Sequence, residues 1–397
     1  MNLGLAKGLD RIAGRGLAGA IAAADAVVEA LRPTPSPVEE VRTVLVQKFW
    51  GVGNWALLRP ILMDLRAHRP AARLVVVTLE ANRPLVDDLA DEVVLLRAKG
   101  LLPLAGDLAR ALLRVRRAAP EVSLDFEQFA SAGALLARAA GIPQRIGFSS
   151  GSRARDALLT ARVPFRRDVH AARSFRDLAE AAGVPRGPYV PGGLAPSPRG
   201  LAEAARVLEE AGLAHAGPLV VLHPGSGDNF PGRRWSAAGF AAVGRLAAAR
   251  HGARVAITGS AAEAALCRGV AEAIGPGAAS VAGKTGLEGL IGILGGARAL
   301  VSNDTGPVHL ASALGRPVLA LFGPNTPTLY GPLSPGSRAF FVGLPCSPCL
   351  TTDNYRSSRC RLHTCMAAIP TGEVATALDR LLAGAASPEA PCAAASS

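Results

Sequence analysis

Apolar residues in this chain come in short bursts, each closed by a polar or glycine-containing turn. Residues 43–49 read as a strand, Gly51, Gly53 and Asn54 as the turn that ends it, and 55–68 as a helix. Further strands are expected at 73–78, 93–96, 122–126 and 145–148. Strand alternating with helix at this spacing predicts a parallel sheet covered by helices. A Pro- and Gly-rich stretch at 185–198 breaks the rhythm as a loop and domain joint. The pattern then restarts, with strands at 219–223, 254–258, 297–302 and 318–322 between Ala-rich helices. The expected fold class is α/β: two Rossmann-like domains, 39–190 and 199–384, facing a cleft and binding ligands at the carboxyl ends of their strands.

Two flanking segments stand apart. Leu17, Ile21, Ala24, Val28 and Leu31 give residues 1–32 one apolar helical face, and Pro33, Pro35 and Pro37 make a stiff linker after it. This extension, residues 1–38, either packs on the body or lies on a membrane or partner. Residues 385–397 read as a disordered tail.

Composition narrows the class. Lys plus Arg number 43 against 31 Asp plus Glu, a net charge of +12. A basic surface favours anionic partners, by up to about 1 kcal/mol for each Arg near an anionic membrane. Nucleic acid fits less well, because only three Trp, three Tyr and 11 Phe are available for stacking and no nucleic-acid module appears. No apolar run reaches the roughly 20 residues of a membrane span. Lys7, Asp10, Arg11, Arg15 and Asp25 make residues 1–32 a poor signal peptide. The expected setting is the reducing cytoplasm, with peripheral contact at the inner membrane.

Candidate chemistry concentrates in the second half. The run Ser302-Asn303-Asp304-Thr305-Gly306 leaves a strand and opens a helix. Amides of Thr305 and Gly306 at that helix start suit a phosphate, and Asp304 sits at the cap position, where it either bonds the helix amides or faces a ligand. An ordinary strand–turn–helix with an Asp cap is the alternative. Upstream, His223-Pro224-Gly225-Ser226-Gly227 leaves another strand end and offers free N–H groups. Arg233 follows within reach of the same cleft, where bidentate contact with phosphate is strong. Gly283-Lys284-Thr285 invites a P-loop reading, but the required earlier glycine is Ala278. Cys346, Cys349, Cys360 and Cys365, with His363 among them, have spacing that fits a tetrahedral structural zinc or a set of reduced thiols.

These motifs, together with Arg233-Arg234-Trp235, Phe240 and the Gly283–Leu287 stretch, resemble glycosyltransferase family 9, the ADP-heptose:lipopolysaccharide heptosyltransferases and their relatives. The likeness runs from about residue 41 to 382. It implies the GT-B fold and an inverting transfer of a sugar, heptose, from a nucleotide-sugar donor such as ADP-heptose to a lipid-linked or lipopolysaccharide-core acceptor. Transfer to capsule, exopolysaccharide or protein, and a nucleotide-sugar-binding protein impaired in catalysis, are the alternatives. The resemblance places Ser226, Gly227, Arg233, Thr305 and Gly306 on the donor diphosphate. Asp304 falls on hydroxyls of the transferred sugar, Glu263 near the nucleoside, and His309 on a phosphate or bracing the turn. No cofactor is required, since helix ends and Arg233 supply the positive charge.

The family commonly has a catalytic Asp where this chain has Asn54, and an amide cannot take a proton. General-base help is typically about 10²–10⁴ in rate. Asp125 or Glu127, at the end of a later strand, is the expected replacement base, with Asn54 orienting the acceptor hydroxyl or the donor sugar. Lys48 and Arg59 flank that turn, either as contacts for an anionic acceptor or as plain surface charges.

Overall fold

A computed structural model describes residues 41–97, 101–128, 130–227, 230–351 and 358–384. The expected extension at 1–38 and tail at 385–397 lie outside the described residues. The chain divides into two compact units, one running to Arg167 and including Ala171–Val190, the other taking Asp168–His170 and everything from Pro191.

The first unit contains β1 (Thr43–Gln47), α1 (Val52–His68), β2 (Arg73–Leu79), β3 (Glu92–Leu96), α2 (Leu101–Ala118) and β4 (Val122–Asp125). It continues with α3 (Ala132–Ala139), β5 (Gln144–Ser149), α4 (Arg153–Asp156), β6 (Ala161–Pro164) and α5 (Ala171–Ala181). Its six strands pair in parallel in the order β3-β2-β1-β4-β5-β6. Chain direction through the sheet reverses between β1 and β4, so the ends of these two strands form the crevice where doubly wound sheets bind ligands. Central strands are apolar along their length because helices cover both faces; Val44, Leu45 and Val46 in β1 are all buried.

The second unit repeats the plan with α6 (Pro198–Glu210), β7 (Leu219–His223), α7 (Ala237–His251), β8 (Arg254–Ile257), α8 (Ala264–Ile274) and β9 (Ala278–Ser280). Then come α9 (Leu287–Gly295), β10 (Ala299–Asn303), α10 (Gly306–Ala313), β11 (Val318–Phe322), α11 (Pro327–Tyr330), β12 (Arg338–Phe341), α12 (Thr364–Ala367) and α13 (Thr371–Leu382). The parallel order is β12-β11-β10-β7-β8-β9, the same permutation read from the other edge. Here the switch point lies between β7 and β10. Helix ends follow local sequence: Ser197 and Ser236 accept from the amides of Gly200 and Gly239, and α7 stops at Gly252 in the left-handed conformation.

Three strands escape the apolar pattern: β6, β9 and β12 are three or four residues long and lie at or beside a sheet edge. Too short for a periodic signal, they form because a parallel neighbour is already in place.

Candidate functional site

Both motif-bearing loops of the second unit emerge at its switch point. After β7 the chain turns through Pro224, Gly225, Ser226 and Gly227; after β10 it turns through Asp304 and Thr305 into α10. Arg233 joins them. Its guanidinium donates to the Ser226 carbonyl at 2.7 Å and to the Asp304 carbonyl at 2.9 Å, and Nη1 stands 3.8 Å from the Asp304 carboxylate. Asn303, which sequence patterns gave no reason to single out, makes the same connection from the other side. Its amide nitrogen donates to the Pro224 and Gly225 carbonyls (2.8 and 3.2 Å), while its oxygen accepts the Trp235 amide at 2.9 Å. Buried and fully engaged, Asn303 fixes the distance between the loops.

The helix start differs from expectation in one respect. Thr305, not Asp304, is the N-cap of α10, and its side chain makes no capping bond. Its hydroxyl lies instead 3.1 Å from Ser302 Oγ and donates to the Asn303 carbonyl. The first turn of α10 therefore carries no side-chain cap, and Pro307 within it has no N–H to leave unpaired. Asp304 is held away from the helix axis by Asn325, whose amide donates to Oδ2 at 2.8 Å. His309, one turn into α10, is buried behind the turn, with its ring against Tyr330 and His170 at 6.1 and 6.4 Å. Burial and the neighbouring His309 pull the His170 pKa down to about 3, which keeps that ring neutral.

One expectation for the β7 loop is corrected. The amides of Ser226 and Gly227 are not free: both donate to Glu263 Oε1, at 2.9 and 3.0 Å. Glu263 Oε2 takes the amide and hydroxyl of Ser260, completing a capping box. Through these bonds Glu263 braces the β7 loop from beneath. The fit is close enough that a Cβ on Gly225 would stand 2.4 Å from the carboxylate. Against the cost of burial, these hydrogen bonds hold the Glu263 pKa at about 2, below its ordinary 4.5. A depressed carboxylate contributes stability that is present above its unfolded pKa and lost as pH falls through the folded one. Glu263→Gln is expected to cost roughly 1–3 kcal/mol at neutral pH. Denaturant unfolding should show that gap closing as pH drops from 4.5 toward 2.

In the first unit, Asn54 sits half-buried in the opening turn of α1. Asp125 and Glu127 come together as expected at the end of β4, and both are buried in ion pairs. Asp125 is 1% exposed and paired with Arg155 at 2.9 Å; Glu127 is 3% exposed and paired with Lys48 at 3.0 Å. Glu127 Oε1 also accepts the Phe49 and Trp50 amides, at 2.6 and 3.0 Å. Burial outweighs Arg155 and raises the Asp125 pKa to about 6. In this structure both carboxylates are engaged internally, Asp125 with Arg155 and Glu127 with Lys48. Lys48 pairs with Glu127, and Arg59 forks onto Asp88 at 2.6 and 2.7 Å. A period-two apolar pattern cannot reveal such pairs, because a charged residue at a strand end reads as solvent-facing.

The cysteine segment gives the zinc expectation no support. Cys346, Cys349, Cys360 and Cys365 are free thiols. Among the described residues no group of three or more His, Cys, Asp or Glu side chains is placed to hold a metal ion, so the expected zinc ligand set is not assembled. The segment instead packs on the site's periphery: His363 stacks edge-on against Phe230 at 5.6 Å, and the Cys349 amide donates to the Pro324 carbonyl.

The model of glycosyltransferase family 9 (heptosyltransferase) matches residues 115–358. The chain belongs to glycosyltransferase family 9. Among its family 9 relatives, lipopolysaccharide heptosyltransferase 1 of Pseudomonas aeruginosa is 43% identical over 72 residues, 18% of this chain and 20% of that protein. Lipooligosaccharide heptosyltransferase 2 of Haemophilus influenzae is 31% identical over 121 residues, 30% of this chain and 34% of that protein. These matches span a fifth to a third of the relatives' length. The structure of Escherichia coli ADP-heptose lipopolysaccharide heptosyltransferase II superposes with a TM-score of 0.70 at 21% identity, covering 86% of this chain and 99% of that one. That likeness shows the family 9 fold, two Rossmann-like domains of the GT-B type.

Proposed function

We propose that this chain is an inverting sugar transferase that takes heptose from ADP-heptose and places it on a hydroxyl of a lipopolysaccharide-core acceptor. The observation that carries the donor half is the clamp at the second switch point: two loops tied by Arg233 and Asn303 beside the uncapped start of α10. A helix start of this kind favours an anion, and Arg233 adds a fixed positive charge. The diphosphate rests on Thr305, Gly306 and Arg233, with Ser226 and Gly227 framing the loop, and Asp304 meets hydroxyls of the sugar. As the acceptor oxygen bonds to the anomeric carbon, the bond to the diphosphate breaks, and negative charge develops where the helix amides and Arg233 stabilise it. The net charge of +12 suits work against an anionic membrane face. No helix among the described residues is long and apolar enough to cross a bilayer. The reaction is placed on the cytoplasmic face, where nucleotide sugars are made.

Calorimetry against ADP, UDP and GDP sugars, followed by transfer assays with the preferred donor, tests this reading; failure to bind any nucleotide sugar overturns it. Arg233→Ala is expected to weaken nucleoside-diphosphate binding by roughly 1.5–3 kcal/mol, the range for a charged hydrogen bond. An unchanged Kd would remove Arg233 from the diphosphate. One observation favours a second reading: Asn54 replaces a carboxylate, and the nearby Asp125 and Glu127 are buried and paired. A protein that binds the donor without turning it over would show full donor affinity and no product.

A further inference from the structure

Arg155 is the most enclosed charge in the first unit, at 0% exposure, and none of its bonds reaches solvent. It stands on the single turn of α4 and donates in three directions. Nε reaches the Ala130 carbonyl at 2.9 Å and Nη1 the Phe148 carbonyl at the end of β5. Nη2 bonds both Asp125 Oδ2 and the Glu127 carbonyl, at 2.9 and 2.8 Å. Asp125 in turn accepts the Glu127 amide on Oδ1 at 3.0 Å. The peptide groups on both sides of Glu127 are therefore held, its N–H by Asp125 and its C=O by Arg155. Asp125 is itself pressed against α3, where a Cβ on Gly133 would stand 2.7 Å from Oδ1.

From this fixed backbone the Glu127 carboxylate reaches back across the sheet to Lys48 and to the amides of Phe49 and Trp50. Those amides belong to the last two residues before Gly51, the turn that opens α1 and carries Asn54. A continuous chain of bonds thus runs from α4, through the end of β4, to the first unit's own switch point.

We propose that Arg155 and Asp125 are positioning residues: acting through Glu127, they set the geometry of the 51–54 turn and hence the direction in which Asn54 meets the acceptor hydroxyl. The inference rests on the transferase reading for what the turn does, though not for how it is held. A planar fork with five donors is needed to bond four acceptors at once, which a lysine ammonium cannot reproduce. With no carboxylate at position 54, placement of the hydroxyl is what the turn contributes, and small misplacements of reacting groups are costly in rate.

The test uses the full chain with Arg155→Lys and the near-isosteric Asp125→Asn. Hydrogen exchange followed by mass spectrometry reads the peptide spanning 47–54, and steady-state transfer is measured beside nucleoside-diphosphate binding. The expected result is exchange at 47–54 faster by about tenfold or more, a fall in kcat, and an unchanged nucleoside-diphosphate Kd. Wild-type exchange at 47–54 in either folded variant overturns the proposal. So does acceleration spread evenly over β1, β2 and β5, including the case where a variant unfolds, since that is the signature of a purely structural role. Absence of transfer in the wild type would instead defeat the transferase reading, and the exchange result would still decide whether Arg155 holds the turn.

Discussion

Asp304→Ala is expected to bring sugar transfer close to background, with kcat lower by about 10²–10³, the cost of removing one preorganised polar contact to a transition state. The carboxylate stands at the one place in the second unit where strand end, helix start and Arg233 converge. Its orientation is set by Asn325 rather than by the helix, so it is not occupied with capping α10. On the proposed reading it meets hydroxyls of the sugar as the ring gains positive charge, where a fixed anion is worth more than in the ground state. Nucleoside-diphosphate affinity should change little, because the Asp304 contact with Arg233 that matters for the clamp is a backbone carbonyl retained in alanine. Measuring kcat beside ADP binding separates the two effects. Normal turnover would remove Asp304 from the chemistry. Loss of both turnover and ADP binding would show that the clamp had collapsed.

How much of this was legible in the chain depends on where each residue's partners lie. The run from Ser302 to Gly306 announces itself locally: a strand end, a glycine, and a proline near the helix start lie within six residues, and they form the strand–turn–helix expected of them. Asn303 lies inside the same run and gives no such signal, because its partners are Pro224, Gly225 and Trp235, nearly seventy to eighty residues away. Glu263 is half legible. A Ser-x-x-Glu pattern at Ser260 is a capping-box signature, readable in sequence, while the second oxygen of that carboxylate takes the β7-loop amides, which lie nearly forty residues away. The two-sheet α/β plan and the alternation of strands were legible because periodicity reports burial. The edge strands β6, β9 and β12 did not, because their pairing depends on a neighbour that the sequence does not name.

Glu127 makes the clearest case for a residue whose importance is internal, and Glu127→Ala is expected to destabilise the first unit by about 3–5 kcal/mol, the cost of stranding a buried charge by deleting its partner. Lys48, 2% exposed, would lose the carboxylate it is paired with, and the Phe49 and Trp50 amides would lose their shared acceptor. Glu127→Gln should cost less, since the amide oxygen can still accept from one of those N–H groups, although the charge on Lys48 stays unbalanced. Denaturant unfolding followed by tryptophan emission can localise the effect. Trp50 and Trp55 report on the first unit and Trp235 on the second, so variants that each retain a single tryptophan separate the two transitions. A shift confined to the first transition is the expected result. An unchanged midpoint would mean that Lys48 finds water or another partner once Glu127 is gone. The buried pair would then owe its place to the geometry of the turn rather than to the stability of the fold, and the Arg155 relay would remain the better account of why two carboxylates are buried where a substrate was expected.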